Sequence, residues 1–417
     1  MKIGLYLQDY RDCNEQFFFE DLYNIKNINI DLLVFPETCY LPHDYKLNNI
    51  DIVMDSYTAS NRALELSKYA GCAVIIGAMD LNGYIYNVYA NYFAMASETL
   101  TSLYIKHTMT TTSPLGENNY REQIKSLFKP IILKSKKIGM TICYDCNHAL
   151  FSRVYGKQNV DIIINSTGGN VVYDKWYRYN RVRALENHCF SFCTMGYEDK
   201  GKNHSYTFGF TPTGGHMTPQ YLYENNSKWD SIGNIAIYDT ESPDIATDLC
   251  YNLNQKESDN AKGTYLIDPD KFRNINIDGV YPYTENNIKH IIVKNDDIML
   301  PEKILQVMYE KRDKQVKYII VNVRDSLNMD YYNKVLEDVL RVRAMENYCA
   351  VLMVSPEMTK CFQSGDNRTS QYILKIDGKY RLDLKRMGGP NTIWKNKDGM
   401  RASWRSGYEQ LIDYLNT

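Results

Sequence analysis

Long apolar runs are missing from this sequence. The longest, Gly71 to Met79, is about half of what a bilayer-crossing helix requires, so no transmembrane helix is predicted. An excess of one charge is missing too: 48 Lys and Arg stand against 50 Asp and Glu, a formal net charge of -2. No run of five or more like charges interrupts that mixture, and nucleic acid loses its electrostatic basis as the main partner. Cysteine is sparse, 10 in 417 residues. Cys72, Cys189, Cys193 and Cys349 sit inside apolar runs, where a reduced thiol acts as a small hydrophobe, so a disulfide scaffold is not expected. The opening residues reach Gln8, Asp9 and Arg11 before a secretory signal core can form, which places the protein in the cytoplasm.

What is present describes an ordinary globular chain. With 44% hydrophobic and 24% charged residues in 417, two or three domains are expected. Short β-branched and aromatic runs (Ile3 to Leu7, Leu32 to Phe35, Ala73 to Ala78, Ile138 to Cys143, Asp161 to Ile164) alternate with helical patterns, which predicts an α/β protein. Ala63, Leu66 and Ala70 recur at helical spacing with Arg62, Glu65 and Lys68 on other faces, the mark of an amphipathic helix. From Gly214 to about Tyr283 the pattern weakens into Asn, Asp, Ser and Gly with isolated strands such as Asn234 to Tyr238, suggesting excursions or an insertion followed by a linker, with a domain boundary near Pro282.

Beyond that boundary the chain repeats itself. The strand Asp161 to Asn165 followed by R-V-R-A-L-E-N-H-C from Arg181 returns as Lys317 to Asn322 followed by R-V-R-A-M-E-N-Y-C from Arg341. Extended backward, Lys137 to Asp145 pairs with Lys289 to Asp297, which sets Cys143 opposite Asn295. A duplicated half-domain is expected, residues 283–417, in which the second copy has lost the cysteine.

Three predicted strands end in residues with chemical potential. Phe35-Pro36-Glu37 points a carboxylate out of a sheet edge, because Pro36 lacks a ladder donor. Tyr104-Ile105-Lys106 closes an alternating stretch, and Ile142-Cys143-Tyr144-Asp145 closes an apolar one at a turn, where a thiol can project and a backbone N–H can face an anion. Singly, each has a plain reading: a surface glutamate, an exposed lysine, a buried structural cysteine. Cys143 and Cys146 form C-x-x-C without a second pair at zinc spacing, so no metal is expected.

In this order and spacing, F-P-E, Y-x-K, I-C-Y-D and R-A-L-E-N resemble the carbon-nitrogen hydrolase family, the nitrilase superfamily, over roughly residues 1 to 215. The resemblance implies a four-layer α-β-β-α sandwich in a catalytic domain of residues 1–282, a homodimer, and hydrolysis of a carbon-nitrogen bond without a cofactor. It assigns Glu37 as general base, Lys106 and the Tyr144 N–H as oxyanion donors, and Cys143 as nucleophile forming a thioester. It adds a second glutamate, for which Glu117 is the best match and Glu122 the reserve. His148 and Trp176 become candidates for the pocket wall, with packing the plainer role for Trp176; Arg183 and Glu186 are spaced to pair on one helix face. Tyr144-Asp145 after the cysteine favours small amide or N-carbamoyl substrates over nitriles. An N-acyltransferase using the same thioester, and a catalytically silent binding or scaffold protein, are the alternatives.

Overall fold

The computed structural model describes residues 1–7, 29–39, 56–80, 84–108, 120–168, 173–195, 207–221, 234–246, 257–258, 265–275, 279–285, 288–294, 296–310, 316–322, 330, 335–347, 349–364, 370–382 and 410–417. Packing divides the chain into two compact units, the first of residues 1–173 and 183–249, the second of 174–182 and 250–417. Both are mixed α/β. Among the described residues no helix is long and apolar enough to cross a membrane.

The first unit holds two sheets. One runs β11-β12-β1-β2-β3-β4-β5, with β1 (Lys2–Leu7), β2 (Leu32–Val34), β3 (Ala73–Met79), β4 (Ile85–Ala90), β5 (Thr101–Ile105), β11 (Gln220–Tyr221) and β12 (Asn234–Asp239). The other runs β10-β9-β8-β7-β6, with β6 (Ile131–Leu133), β7 (Lys136–Ile142), β8 (Ile162–Thr167), β9 (Phe190–Met195) and β10 (Thr207–Phe210). Helix α1 (Ser56–Ala70) turns Ala59, Ala63, Leu66 and Ala70 onto Leu33, Val74, Ile76 and Val88 of the first sheet, the face that the periodicity predicted. Residues 74 and 76 share that face because side chains alternate along a strand. Helices α2 (Tyr120–Leu127) and α3 (Ala149–Lys157) follow in order, and α4 (Tyr173–Asn187) is divided, its residues 174–182 grouped with the second unit. α3 lies on β7 so closely that a Cβ on Gly139 would stand 2.6 Å from the Tyr155 ring. Hydrogen bonds join the sheets face to face: Thr194 Oγ1 donates to the Tyr6 carbonyl at 2.7 Å, and Asn87 Nδ2 donates to Ser166 Oγ at 3.1 Å.

The Asn- and Asp-rich stretch after Gly214 is not all excursion. Its strand β12 pairs with β1 along its whole length, Lys2 with Asp239 through Leu7 with Asn234, and so completes the first sheet. Pro282, placed at a boundary by composition, lies inside a strand, paired with Ile291.

The second unit has a seven-stranded sheet, β13-β20-β19-β18-β17-β16-β15, from β13 (Glu257–Ser258), β15 (Val280–Glu285), β16 (Ile288–Lys294), β17 (Val316–Asn322), β18 (Ala350–Val354), β19 (Thr359–Ser364) and β20 (Ser370–Ile373). A small sheet joins β14 (Tyr265–Ile267), β22 (Lys379–Leu382) and β21 (Lys375–Ile376). Ala350, Leu352 and Val354 share a core with Ile267, Phe272, Tyr380 and Leu382. Asp377 and Gly378 close the β21–β22 hairpin with φ of 49° and 78°, the left-handed pair that a two-residue turn demands. The unit also holds helices α5 (Pro301–Glu310) and α6 (Glu337–Asn347), and residues 410–416 are helical.

The repeated motif forms the same contacts in each unit. Arg183 Nε donates to the Cys146 carbonyl at 2.9 Å, its Nη1 meets Glu186 at 2.6 Å, and Asn187 Nδ2 caps the Arg183 carbonyl at 2.8 Å. Arg343 Nε donates to the Ile298 carbonyl at 2.9 Å, its Nη1 meets Glu346 at 2.6 Å, and Asn347 Nδ2 caps the Arg343 carbonyl at 2.9 Å. In both units three parallel strands (β7-β8-β9, β16-β17-β18) are flanked by antiparallel ones.

Candidate active site

Glu37 lies three residues past the end of β2, and Lys106 and Cys143 directly follow β5 and β7. β5 runs in the direction of β2 and β3, since two antiparallel pairings separate it from β3. The carboxylate and the ammonium therefore emerge at one edge of the first sheet, at strand C-termini, where open α/β sheets bind ligands. Glu37 and Lys106 are buried, at 7% and 5% exposure, and Cys143 is half-buried.

Lys106 Nζ donates to Glu37 Oε1 at 2.5 Å, and the Gly168 N–H, just past β8, donates to Glu37 Oε2 at 3.0 Å. The Lys106 backbone is itself pinned, its N–H donating to the Ile85 carbonyl at 2.8 Å. Burial pulls the Lys106 ammonium down, but the charges of Glu37, Cys143 and Asp145 outweigh it and its pKa rises, so the side chain stays a cation. Burial pushes the Cys143 thiol well up; the Glu37 charge and the hydrogen bond from thiol to carboxylate add to this, and Lys106 opposes it. At neutral pH the resting state is thus a protonated thiol beside an ion pair, with the Glu37 carboxylate in contact with the thiol.

Two non-glycine residues with left-handed backbone flank this group: Thr38 at φ 49° and Cys143 at φ 46°. Such conformations cost of order 1–3 kcal/mol and persist where neighbours hold them. Cys143 opens a 3-10 turn, Cys143–Asn147, directly after β7. Asn165 Nδ2 donates to the Cys143 carbonyl at 3.4 Å and to Thr141 Oγ1 at 3.0 Å, while its Oδ1 accepts from Thr167 Oγ1 at 2.5 Å. Gly77 supports the other side. A Cβ there would press on the Thr38 nitrogen and stand 2.7 Å from the Pro36 carbonyl oxygen. Gly77→Ala is therefore expected to displace the Glu37 loop, costing about 1–3 kcal/mol of stability and a larger share of activity. A thermal melt alongside a turnover assay checks it; wild-type values in both would show that the loop has room.

Asp145 lies at the centre of a further cluster. Fully buried, it accepts from Tyr104 Oη at 2.9 Å, Thr108 Oγ1 at 2.7 Å, and the backbone N–H groups of His107 at 3.5 Å and Ile142 at 3.3 Å. Burial pushes its carboxyl up to about 6, against the pull of Thr108, Lys106 and Tyr104. An acid whose folded pKa is raised contributes stability below its unfolded value of 3.8 and loses it as pH climbs through about 6. Asp145→Asn, which cannot ionise, should thus gain on the wild type between pH 4 and 7, by on the order of 3 kcal/mol. Melting both proteins across that range reads the difference; a gap that does not change with pH would refute the burial effect.

Of the other candidates, Tyr144 lies within the 3-10 turn beside Cys143, its ring set edge-on to His148 at 5.6 Å. His148, 6% exposed, also leans on Phe151 at 5.7 Å. Trp176 is 3% exposed, edge-on to Tyr179, and belongs to the segment grouped with the second unit. Arg183 and Glu186 pair as spaced. Glu117 and Asn295 lie outside the described residues; Glu122 lies on α2 with its side chain likewise undescribed. Gly77, Asn165 and the Gly168 N–H were not singled out from sequence, and Asp145 entered only as the last residue of I-C-Y-D and a mark of substrate class, not as a support of the site. A glycine inside the apolar run of β3 was the one local hint, since such a glycine marks close backbone approach.

Residues 20–238 match the profile of the carbon-nitrogen hydrolase family. No curated protein matches the chain. Among solved structures, the fold is similar to an amidase from Nesterenkonia sp., at 14% identity and TM-score 0.42, over 59% of this chain and 91% of that one. A carbon-nitrogen hydrolase from Helicobacter pylori is similar at 15% identity and TM-score 0.44, over 58% and 90%. A CN-hydrolase superfamily protein from Xanthomonas campestris, solved with an arsenic adduct in its active site, is similar at 16% identity and TM-score 0.39, over 52% and 84%.

Proposed function

The chain belongs to the carbon-nitrogen hydrolase family, and from that premise we propose that it is a thiol hydrolase cleaving a small amide or N-carbamoyl compound at a non-peptide carbon-nitrogen bond. The observation that carries this reading is the single carboxylate of Glu37, which grips Lys106 at 2.5 Å and accepts the hydrogen bond of the Cys143 thiol.

The chemistry follows from that arrangement. Cys143 Sγ attacks the amide carbon as its proton passes to Glu37, which overcomes the high pKa that burial imposes on the thiol. The carbonyl oxygen becomes an oxyanion, met by the Lys106 ammonium and the Tyr144 N–H. These are fixed in a dry site, so they favour the charged intermediate over the neutral ground state. Collapse breaks the C–N bond, the leaving amine takes the proton held by Glu37, and an acyl thioester remains on Cys143. Glu37 then draws a proton from water, which attacks the thioester and returns the free thiol. The Asn165 and Gly168 contacts keep nucleophile and base from drifting during the two half-reactions. Tyr144-Asp145 after the cysteine supports an amide over a nitrile.

The first unit reads as the family's α-β-β-α sandwich, and residues 283–417 as a degenerate, non-catalytic half of the same fold. Supporting this are the matched Arg-Glu-Asn contacts and the matched strand directions of the two units. With Cys189 level with Cys349, strand register sets Asn322 opposite Ser166 in the first copy, one residue from the alignment drawn on sequence alone.

Ammonia release from a panel of small amides, N-carbamoyl compounds and nitriles tests the reading. Release from amides or N-carbamoyl compounds at rates well above nitriles is expected. A preference for nitriles would overturn the substrate class.

A further inference from the structure

Lys106 reaches Glu37 and Cys143 from a different sheet than the nucleophile, and something must fix the two segments together. We infer that Asp145 is the positioning residue that does so. Its carboxylate accepts from Tyr104, His107 and Thr108, which bracket Lys106, and from Ile142, which precedes the nucleophile. Oδ2 takes the Tyr104 hydroxyl and both backbone N–H groups; Oδ1 takes Thr108. Each partner is a donor, so the site is built for an acceptor with two separate oxygens. Asp145 touches no reacting atom in the mechanism above; it acts through Lys106. This inference rests on the proposed roles of Lys106 and Cys143.

The titratable groups around it can be named. From β5 and the residues after it come Tyr104, Lys106 and His107; from the nucleophile turn, Cys143; from α3, Tyr155; and Glu37 faces Lys106. Burial holds His107 down at about 3 and pushes Tyr155 up, so neither changes charge between pH 5 and 9. Lys106 is the group that pulls the Cys143 pKa down. If its segment is unfastened, that pull weakens and the thiol titrates at higher pH.

Iodoacetamide alkylation of Cys143 reads this without any knowledge of the substrate, because the thiolate is the reactive form. The rate is followed from pH 5 to 10 by mass analysis of the Cys143 peptide in the full chain, with circular dichroism to confirm folding. Tyr104→Phe and Thr108→Val, singly and together, remove donors and leave the carboxylate. The double variant should displace the curve upward by roughly one pH unit, about tenfold in rate at a fixed lower pH, in the same direction as Lys106→Met, and each single variant by less. Asp145→Asn should recover most of the wild-type curve. Its amide oxygen can serve Tyr104 and the two N–H groups, while its NH2 donates to the Thr108 hydroxyl.

A displaced Lys106→Met curve beside wild-type curves for the Tyr104 and Thr108 variants would overturn the positioning role and leave the catalytic assignment standing. An Asp145→Asn curve displaced as far as the double variant's would also overturn it, since the fastening would then not be the cause. An undisplaced Lys106→Met curve would remove the lysine's assigned influence, and the positioning role with it.

Discussion

Cys143→Ala is expected to lower kcat by roughly 10^4-fold or more, as deletion of a nucleophile does elsewhere, while leaving the fold in place. The fold should hold because the turn does not depend on the thiol. The Cys143 carbonyl is held by Asn165, the 3-10 turn is capped by the bond from Ile142 N–H to Asp145, and Arg183 anchors the Cys146 carbonyl. The left-handed backbone at position 143 is nearly as costly for alanine as for cysteine, so neither residue gains from the exchange. What is lost is the covalent route itself, since no hydroxyl or second thiol takes the place of Sγ in the proposed chemistry. Activity that persists at wild-type level, with the melting temperature unchanged, would show that the reaction does not pass through Cys143.

Glu37→Gln is expected to reduce turnover by about 10^2- to 10^4-fold. The amide can still accept from Lys106 or from Gly168, so the loop keeps much of its geometry. It can no longer take a proton, and a thiol whose pKa burial has raised then has no base for attack. The same change removes activation of the water for deacylation. Both half-reactions therefore slow, and the single-turnover rate of amine release should fall along with the steady-state rate. A variant slowed only in deacylation would assign the first proton transfer to another group.

The parts of this molecule that were legible in sequence are those set by local chemistry or by motif. The α1 stripe and the strand runs each depend on a few neighbouring residues, and each appears where expected. Glu37, Lys106 and Cys143 were separable from ordinary surface and core residues only because their motifs occur in order, and the folded chain brings them into one contact. The supports of that contact were not legible. Gly77 matters because another loop crosses it, Asn165 because β8 lies beside β7, and Asp145 because β5 ends against the nucleophile turn. None of these juxtapositions leaves a periodic trace. Strand β12 was legible as a strand, but its place in the first sheet was not, for a related reason: its partner is the N-terminal strand, more than 200 residues away, and polar loops surround it in sequence.

The covalent intermediate is the step on which the proposed chemistry turns. Intact-mass analysis of the wild-type chain, acid-quenched during turnover of the amide it hydrolyses best, reads it directly. A mass gain equal to the acyl group, mapped to the peptide carrying Cys143 and removed by hydroxylamine, is the expected result. Turnover in which Cys143 stays unmodified at every quench time, together with an acyl group on another residue, would mean that the thioester mechanism is wrong.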